Sequence, residues 1–220
     1  MRLKSLVLLV ILSVIAGCGI TARVEPFMEP GSNFQLNQGE SVVILGRKHQ
    51  ASFQTESTLI DCIASNLASG VNSISIHSTK SFEDALFPYF EPSTAPLTTV
   101  EFAILLENEL VFREIENTGV RYIVWLDGST DRTDSGGTIS CAAGPGGAGC
   151  VGLAWWEDDA RYDATVWDIT TQDSAGTIYV DYTGRSMIPA LIIPIPLVVR
   201  TQNAACTGLS TQLTSFFSQY

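Results

Sequence analysis

The succession of residue patterns along residues 41–218 constrains the fold more than any single motif. Short apolar runs with β-branched residues are typical of buried strands, and apolar residues spaced by three and four are typical of helices. Two helical patterns each lie between apolar runs, which predicts crossover connections and partly parallel strands. Four strand patterns then precede a last helix, which predicts an antiparallel meander. The sequence therefore predicts an α/β (α+β) class and a mixed sheet with order β-α-β-α-β-β-β-β-α and helices packed on the sheet. The predicted strands are 41–46, 71–77, 120–126, 150–157, 163–170 and 177–184, and the helices are 55–69, 98–118 and 201–218.

The second helix carries the clearest local signal. Thr98 and Glu101 have the spacing of a capping box, and Gly119 follows the helix where a C-terminal stop is expected. We expect one continuous helix that buries a single stripe. Its expected members are Val100, Ile104 and Val111, with Ala103 and Leu110 beside them.

The N-terminus has the pattern of an export signal. Arg2 and Lys4 precede an apolar run over residues 6–16, which is too short for a membrane span of about 20 residues. Ile15-Ala16-Gly17-Cys18 resembles a lipobox, the alternative being an ordinary signal peptide with an incidental cysteine. The resemblance implies that residues 1–17 are removed and that Cys18 carries diacylglycerol and palmitate. Gly19 then implies sorting to the outer membrane, with the protein facing the periplasm.

The remaining chain divides into two expected regions. Residues 18–40 contain Pro26 and Pro30 and are expected to form the lipidated N-terminus and an irregular tether. Residues 41–220 are expected to form a single periplasmic domain.

Composition excludes several classes of function. The chain carries 12 Lys and Arg, scattered singly apart from Arg47 and Lys48, against 23 Asp and Glu, so it lacks the basic stripe of a nucleic-acid-binding protein. Loss of Arg2 and Lys4 with the signal changes the net charge from −11 to −13 over 203 of the 220 residues. We predict no metal site and no cofactor.

Four cysteines remain beyond Cys18, and an even number in an oxidising compartment predicts two disulfide bonds. Cys141 and Cys150 enclose a glycine-rich stretch that contains no lysine, which argues against a phosphate-binding loop. Eight intervening residues also differ from the two of common redox motifs. We predict a disulfide that closes a hairpin between two strands.

The element order resembles the domain shared by CsgG, the N-terminal domain of TolB and the LpoB-type activators. Gly119-Val120-Arg121-Tyr122-Ile123-Val124 and Ala164-Thr165-Val166-Trp167-Asp168-Ile169 carry the resemblance. It implies that the first and last helices lie side by side, which leads to a predicted Cys62–Cys206 bond, with buried free thiols as the alternative. The departures are the Cys141–Cys150 loop, the proline-rich segment at 187–199 and the lack of a clear pair of membrane-inserting strands.

Several polar clusters have ordinary structural interpretations. Asp127, Asp131 and Asp134 do not have the spacing of a helix-loop-helix calcium loop and are expected to lie on a solvated loop. Glu157, Asp158 and Asp159 are expected to end a strand, with a partner contact as the alternative. His49 and His77 each follow a predicted strand, but no Gly-x-Ser-x-Gly elbow accompanies them.

Residues 187–199 are apolar and contain three prolines, which argue against a regular helix or a central strand. The segment is expected either to cover the domain or to present an apolar patch to a partner or membrane. One residue of the pair Trp155 and Trp156 is expected in the core and the other as an exposed anchor. The candidate partner-binding residues are Trp156, Ile188, Leu191, Ile193 and Ile195.

These observations favour a non-enzymatic envelope lipoprotein. It would act as a protein-interaction or assembly module, with another envelope protein or itself as partner. One alternative is a lipid- or substrate-binding subunit of an envelope transport or secretion complex. Another is a hydrolase that uses His49 or His77.

Overall fold

The computed structural model describes residues 19–28, 36–50, 53–70, 73–91 and 94–218. The predicted signal peptide and the lipidation site at Cys18 lie outside these residues. Within them, the structure is α+β, with five helices and a five-stranded mixed sheet of order β1-β7-β6-β5-β2, as the predicted class requires. The strands are β1 (Ile20–Met28), β2 (Ser41–Gly46), β3 (Lys48–Gln50), β4 (Phe53–Gln54), β5 (Val120–Gly144), β6 (Gly147–Asp168) and β7 (Asp173–Ile192). The helices are α1 (Ser57–Ser69), α2 (Thr79–Ala85), α3 (Thr99–Leu106), α4 (Glu109–Thr118) and α5 (Thr201–Phe217).

The described part of the chain divides into two compact units. The single domain over residues 41–220 stays a prediction. The strand unit contains residues 19–22, 130–160 and 181–202, and the core unit contains residues 23–129, 161–180 and 203–218. Strands β5, β6 and β7 each contribute residues to both units.

The core unit contains the parallel pairing that the crossover pattern predicts. Val43 of β2 pairs with Ile123 of β5, and Leu45 pairs with Trp125. Every residue from Ser41 to Leu45 is buried, because helices cover both faces of this part of the sheet. One face packs on α2, α3 and α4. The cluster of buried residues there is Val43, Leu45, Phe82, Leu86, Phe90, Phe102, Leu106, Val111, Ile115, Val120, Ile123, Trp125, Trp167 and Ile169.

Helices α1 and α5 lie together and are joined by a disulfide between Cys62 and Cys206. The Tyr122 ring of β5 lies 5.4 Å from the Phe217 ring of α5. Buried apolar residues along both helices complete this layer: Leu59, Ile63, Leu67, Leu209, Leu213 and Phe216. The disulfide that the family resemblance implied is therefore present.

Three predicted elements outside the meander differ from the structure. Residues 71–77 were predicted as a strand, but in the described part only Ile76 forms a bridge, with Val42. Residues 20–28, expected in an irregular tether, form β1 beside β7. The predicted helix 98–118 is two helices, because Asn108 accepts a hydrogen bond from the backbone of Leu110 and so caps a new helix.

The meander strands are longer than the sequence indicated. The separately predicted strands 150–157 and 163–170 are both parts of β6, and the predicted loop around Asp127, Asp131 and Asp134 belongs to β5. Only Pro145 and Gly146 separate β5 from β6, so these strands form an antiparallel hairpin. Strand β7 continues through Pro189 because that proline lies near its end, where its carbonyl accepts a bond from Ile195.

Candidate functional site

The strand unit has an end without charged side chains. Residues 135–156 and 186–199 contain no Asp, Glu, Lys, Arg or His, and we call these two segments the apolar end. The first spans the β5–β6 hairpin, and the second contains the end of β7 and a returning segment. The return is fixed by reciprocal backbone hydrogen bonds between Met187 and Leu197, at 2.8 and 2.9 Å.

The predicted disulfide between Cys141 and Cys150 is present within the apolar end. An open groove of about 530 Å³ lies beside it. Its lining is uncharged and consists of Ser140, Cys141, Ala142, Gly149, Cys150, Val151, Leu191 and Ile192. This groove suits an apolar ligand, because its lining supplies no charged group that would orient a polar ligand.

The candidate partner-binding residues of 187–199 are mostly on the surface. The side chains of Leu191, Ile193 and Ile195 are exposed, and Ile188 is half-buried. The segment therefore presents an apolar surface, one of its two predicted alternatives, and these side chains do not form a buried cover.

Paired aromatic and charged residues border the apolar end. The guanidinium of Arg132 lies 5.2 Å from the Trp156 ring centre, and that of Arg185 lies 5.3 Å from the Trp155 ring centre. The same two arginines pair with carboxylates of β6, Asp158 and Glu157. Trp156 also donates its indole N–H to Asp158 at 3.0 Å.

Both tryptophans of this border are half-buried, so the expected division into one core and one exposed residue is wrong. The prediction that residues 157–159 end a strand is also wrong, because they lie inside β6. The aromatic border therefore consists of two similar Trp–Arg contacts. We call Trp155, Trp156, Arg132 and Arg185 the border residues.

A second apolar surface belongs to helix α3 in the core unit. Its sequence, TVEFAILL, is apolar on nearly all sides, whereas a helix on a protein surface normally has one polar face. Phe102 and Leu106 are buried, but Val100 and Ile104 are 67% and 60% exposed. Val100 and Ile104 are four residues apart and thus share one face of the helix. We call this the α3 face.

The α3 face was missed at the sequence level. Val100, Ile104 and Leu110 were expected to be buried, but Leu110 is 74% exposed as well. Val111 is the one member of the predicted stripe that is buried, together with Ile115 of α4. The available signal was the composition of α3, in which Glu101 is the only charged residue, so that some apolar residues stay uncovered whichever face packs.

Of the two histidines, only His77 has a described side chain. His49 belongs to β3, and its side chain is outside the description. The His77 ring contacts the Phe82 ring, with 6.3 Å between their centres. The described residues also contain no group of three or more His, Cys, Asp or Glu arranged to hold a metal ion.

Arg47, beside His49 in sequence, contributes to packing. Its guanidinium lies 4.5 Å from the Trp125 ring centre and donates a 2.9 Å hydrogen bond to the carbonyl of Pro96. Burial lowers the pKa of Arg47, while the negative charges of Asp127 and Glu101 act against this change. The guanidinium of Arg47 therefore makes its contacts inside the core unit.

Glu83 on α2 provides a pH-dependent prediction. Burial and the charges of Glu91 and Asp84 raise the pKa of Glu83 above its ordinary value. The folded carboxyl therefore binds a proton more readily than the unfolded one, and stability falls as the pH rises through this range. Glu83→Gln should be slightly more stable than the parent at neutral pH, by less than about 1 kcal/mol because the group is half-exposed. Thermal unfolding at pH 7 and pH 3 should show that the difference disappears in acid; equal differences at both values would contradict this explanation.

No known family profile and no curated protein matches this chain. Among solved structures, a PelC dodecamer from Paraburkholderia phytofirmans is similar at a TM-score of 0.43 and 12% identity. The similarity covers 91% of this chain and 100% of the PelC chain. A single-substitution variant of the same PelC gives a TM-score of 0.40 and 11% identity at the same coverage.

Among the described residues, no helix has the length and apolar character needed to cross a membrane.

Proposed function

We propose that this chain is a non-enzymatic outer-membrane lipoprotein, anchored through Cys18 and facing the periplasm, that binds another envelope protein. The observation that carries the binding function is the α3 face. Exposed apolar side chains that share one helix face mark interaction sites, and Val100 and Ile104 are both exposed beside Glu101. A protein partner that covers this face would remove the exposed apolar area from water at about 25 cal/mol per Å².

Two further observations support the envelope location. Both disulfides of the structure are of the kind that persists in oxidising compartments. The lipobox-like sequence before Gly19 supplies the anchor. The kinship with CsgG, TolB and LpoB-type domains stays a prediction that rests on element order and two short motifs.

The lipid- or substrate-binding alternative has an observation of its own, the uncharged groove beside Cys141 and Cys150. It concerns the strand unit and is compatible with a protein partner on α3. The hydrolase alternative has no comparable support in the described residues, since the only ring contact of His77 there is with Phe82.

The double variant Val100→Asp, Ile104→Asp should lose capture of the partner by roughly tenfold or more, because two carboxylates would have to be desolvated at the interface. In-cell photo-crosslinking from position 97, beside this face, followed by mass spectrometry measures the capture. Phe27→Asp is the matched control, because Phe27 is also an exposed apolar residue of the core unit, at 58% exposure.

The outcomes separate the possible partners. A crosslinked product with the mass of two copies of this chain would replace the foreign partner by self-assembly. Equal capture by the double variant and by the Phe27→Asp control would remove the α3 face from the proposal.

A further inference from the structure

In the apolar end of the strand unit, charged residues are absent from whole stretches of strand and not from one face of the sheet alone. Successive side chains of a strand point to opposite sides of the sheet, so an unbroken charge-free run leaves both sides uncharged. Val151 and Leu153 of β6 are exposed, and so are Leu191, Ile193 and Ile195 in the second segment. A protein interface needs only one apolar side with a polar rim. A segment surrounded by lipid, in contrast, must be uncharged on both sides.

The border residues have the chemistry of a membrane–water boundary. Tryptophan is enriched at this level of membrane proteins because its ring is apolar and its N–H needs a polar partner. Here Trp156 donates to Asp158, and both tryptophans lie under arginines. Gly136 lies against the Trp155 indole, and a Cβ at this position would be only 3.1 Å from that ring. The indole is thus held in place on the β5–β6 hairpin.

The chain enters β1 at this same border. The backbone N–H of Arg185 donates to the carbonyl of Gly19, at 3.4 Å. Gly19 directly follows Cys18, the proposed site of acylation. Gly19, the residue bonded to the proposed anchor, therefore lies beside a border residue.

We infer that the apolar end of the strand unit inserts into the lipid bilayer that holds the acyl chains of Cys18. The inference rests on the proposed anchoring at Cys18 and adds a second, protein-made contact with the lipid. Leu191 and Ile193 contact acyl chains, while Trp155 and Trp156 lie at the level of the headgroups.

The insertion is shallow. Backbone N–H and C=O groups at an open sheet edge cannot be left unpaired in hydrocarbon, at a cost of several kcal/mol for each group. An end that stays near the headgroups keeps these groups in reach of water and still buries its apolar side chains. The contact also fixes the orientation of the strand unit at the membrane, which a flexible lipid anchor alone does not.

The test uses the full acylated chain in vesicles of phosphatidylethanolamine and phosphatidylglycerol, part of which carry bromine on their acyl chains. The reporter variant is Leu191→Trp, and the matched control is Leu110→Trp. The two leucines are 83% and 74% exposed and lie in different units. Bromine quenches only a tryptophan that touches acyl chains, whereas acrylamide quenches a tryptophan in water.

We expect the added fluorescence of Leu191→Trp to be quenched by brominated lipid and protected from acrylamide. The added fluorescence of Leu110→Trp should show the opposite behaviour. In a second reporter variant, Leu191→Trp with Ile193→Glu, the anchor should keep the protein on the vesicle, while the lipid quenching of the added tryptophan falls roughly tenfold. Circular dichroism and intact disulfides would show that this variant is folded.

Two results would overturn the inference. One is full acrylamide quenching of Leu191→Trp with or without vesicles. The other is protection from both quenchers together with a crosslinked dimer, which would assign the apolar end to a second copy. Mass spectrometry of the Cys18 peptide tests the anchor separately, since quenching without acylation would refute anchoring but retain insertion.

Discussion

Replacing Cys62 and Cys206 together by alanine is expected to lower the free energy of unfolding of the core unit by about 4 to 5 kcal/mol. The bond joins residues 144 positions apart, so its loss releases a very long loop in the unfolded chain. The entropy gained on the chain-entropy model grows with the logarithm of loop length. Because Cys206 is buried, at 1% exposure, the substitution also removes packing between α1 and α5. Marginal stabilities of 5 to 15 kcal/mol make this a large fraction of the total.

Urea denaturation measures this loss. Trp155→Phe and Trp156→Phe in the background restrict the emission to Trp125 and Trp167, which both lie in the core unit. The matched control is the double alanine variant of Cys141 and Cys150, followed by circular dichroism because the remaining tryptophans report on the core unit. Its separation of 9 residues predicts a smaller loss of about 2 to 3 kcal/mol in the strand unit. An equal or smaller loss for the 62–206 pair would contradict the loop-length argument.

The parts of the fold that the sequence predicted are those whose local residue pattern is sufficient by itself. Residues 41–46 and 120–126 are apolar on both faces, as buried parallel strands are, and they pair in the structure. The final helix, predicted over residues 201–218, is α5 (Thr201–Phe217). In each case the burial pattern follows directly from the order of residues.

No local residue pattern indicated the length of the meander strands. Gly128, Gly137 and Gly152 interrupt the alternation and favour loops in a sequence, yet all three lie inside strands with positive φ. A side chain at any of them would collide with backbone of the neighbouring strand. The glycines therefore permit close strand approach, which depends on a partner strand that the local sequence does not show.

The surfaces were predictable to different degrees. Leu191, Ile193 and Ile195 could be nominated because prolines beside apolar residues argue against a helix or a central strand. The contacts of the border residues could not be predicted, since Arg132 and Asp158 are 26 residues apart and meet only through strand pairing. The α3 face was assigned to the core because an apolar helix gives no indication of which side packs.

The second large effect concerns Trp167, which is 2% exposed beneath α3. Its ring lies 5.0 Å from Phe102 of α3 and 5.6 Å from Trp125 of β5, measured between ring centres. The guanidinium of Arg47 lies 5.3 Å from the same ring. Trp167→Ala should therefore lower the free energy of unfolding by about 4 kcal/mol, through lost burial and the cavity that remains.

The same cavity lies under the helix that presents Val100 and Ile104, so Trp167→Ala should also reduce partner capture without changing the α3 face itself. Capture is measured at a temperature where circular dichroism shows that the variant is folded. Trp156→Ala is the control, since Trp156 is half-buried in the strand unit and its loss should leave the core unit within about 1 kcal/mol of the parent. Full capture by a folded but destabilised Trp167→Ala protein would show that the α3 face does not depend on this aromatic support. Loss of capture by both variants would instead move the binding surface toward the border residues.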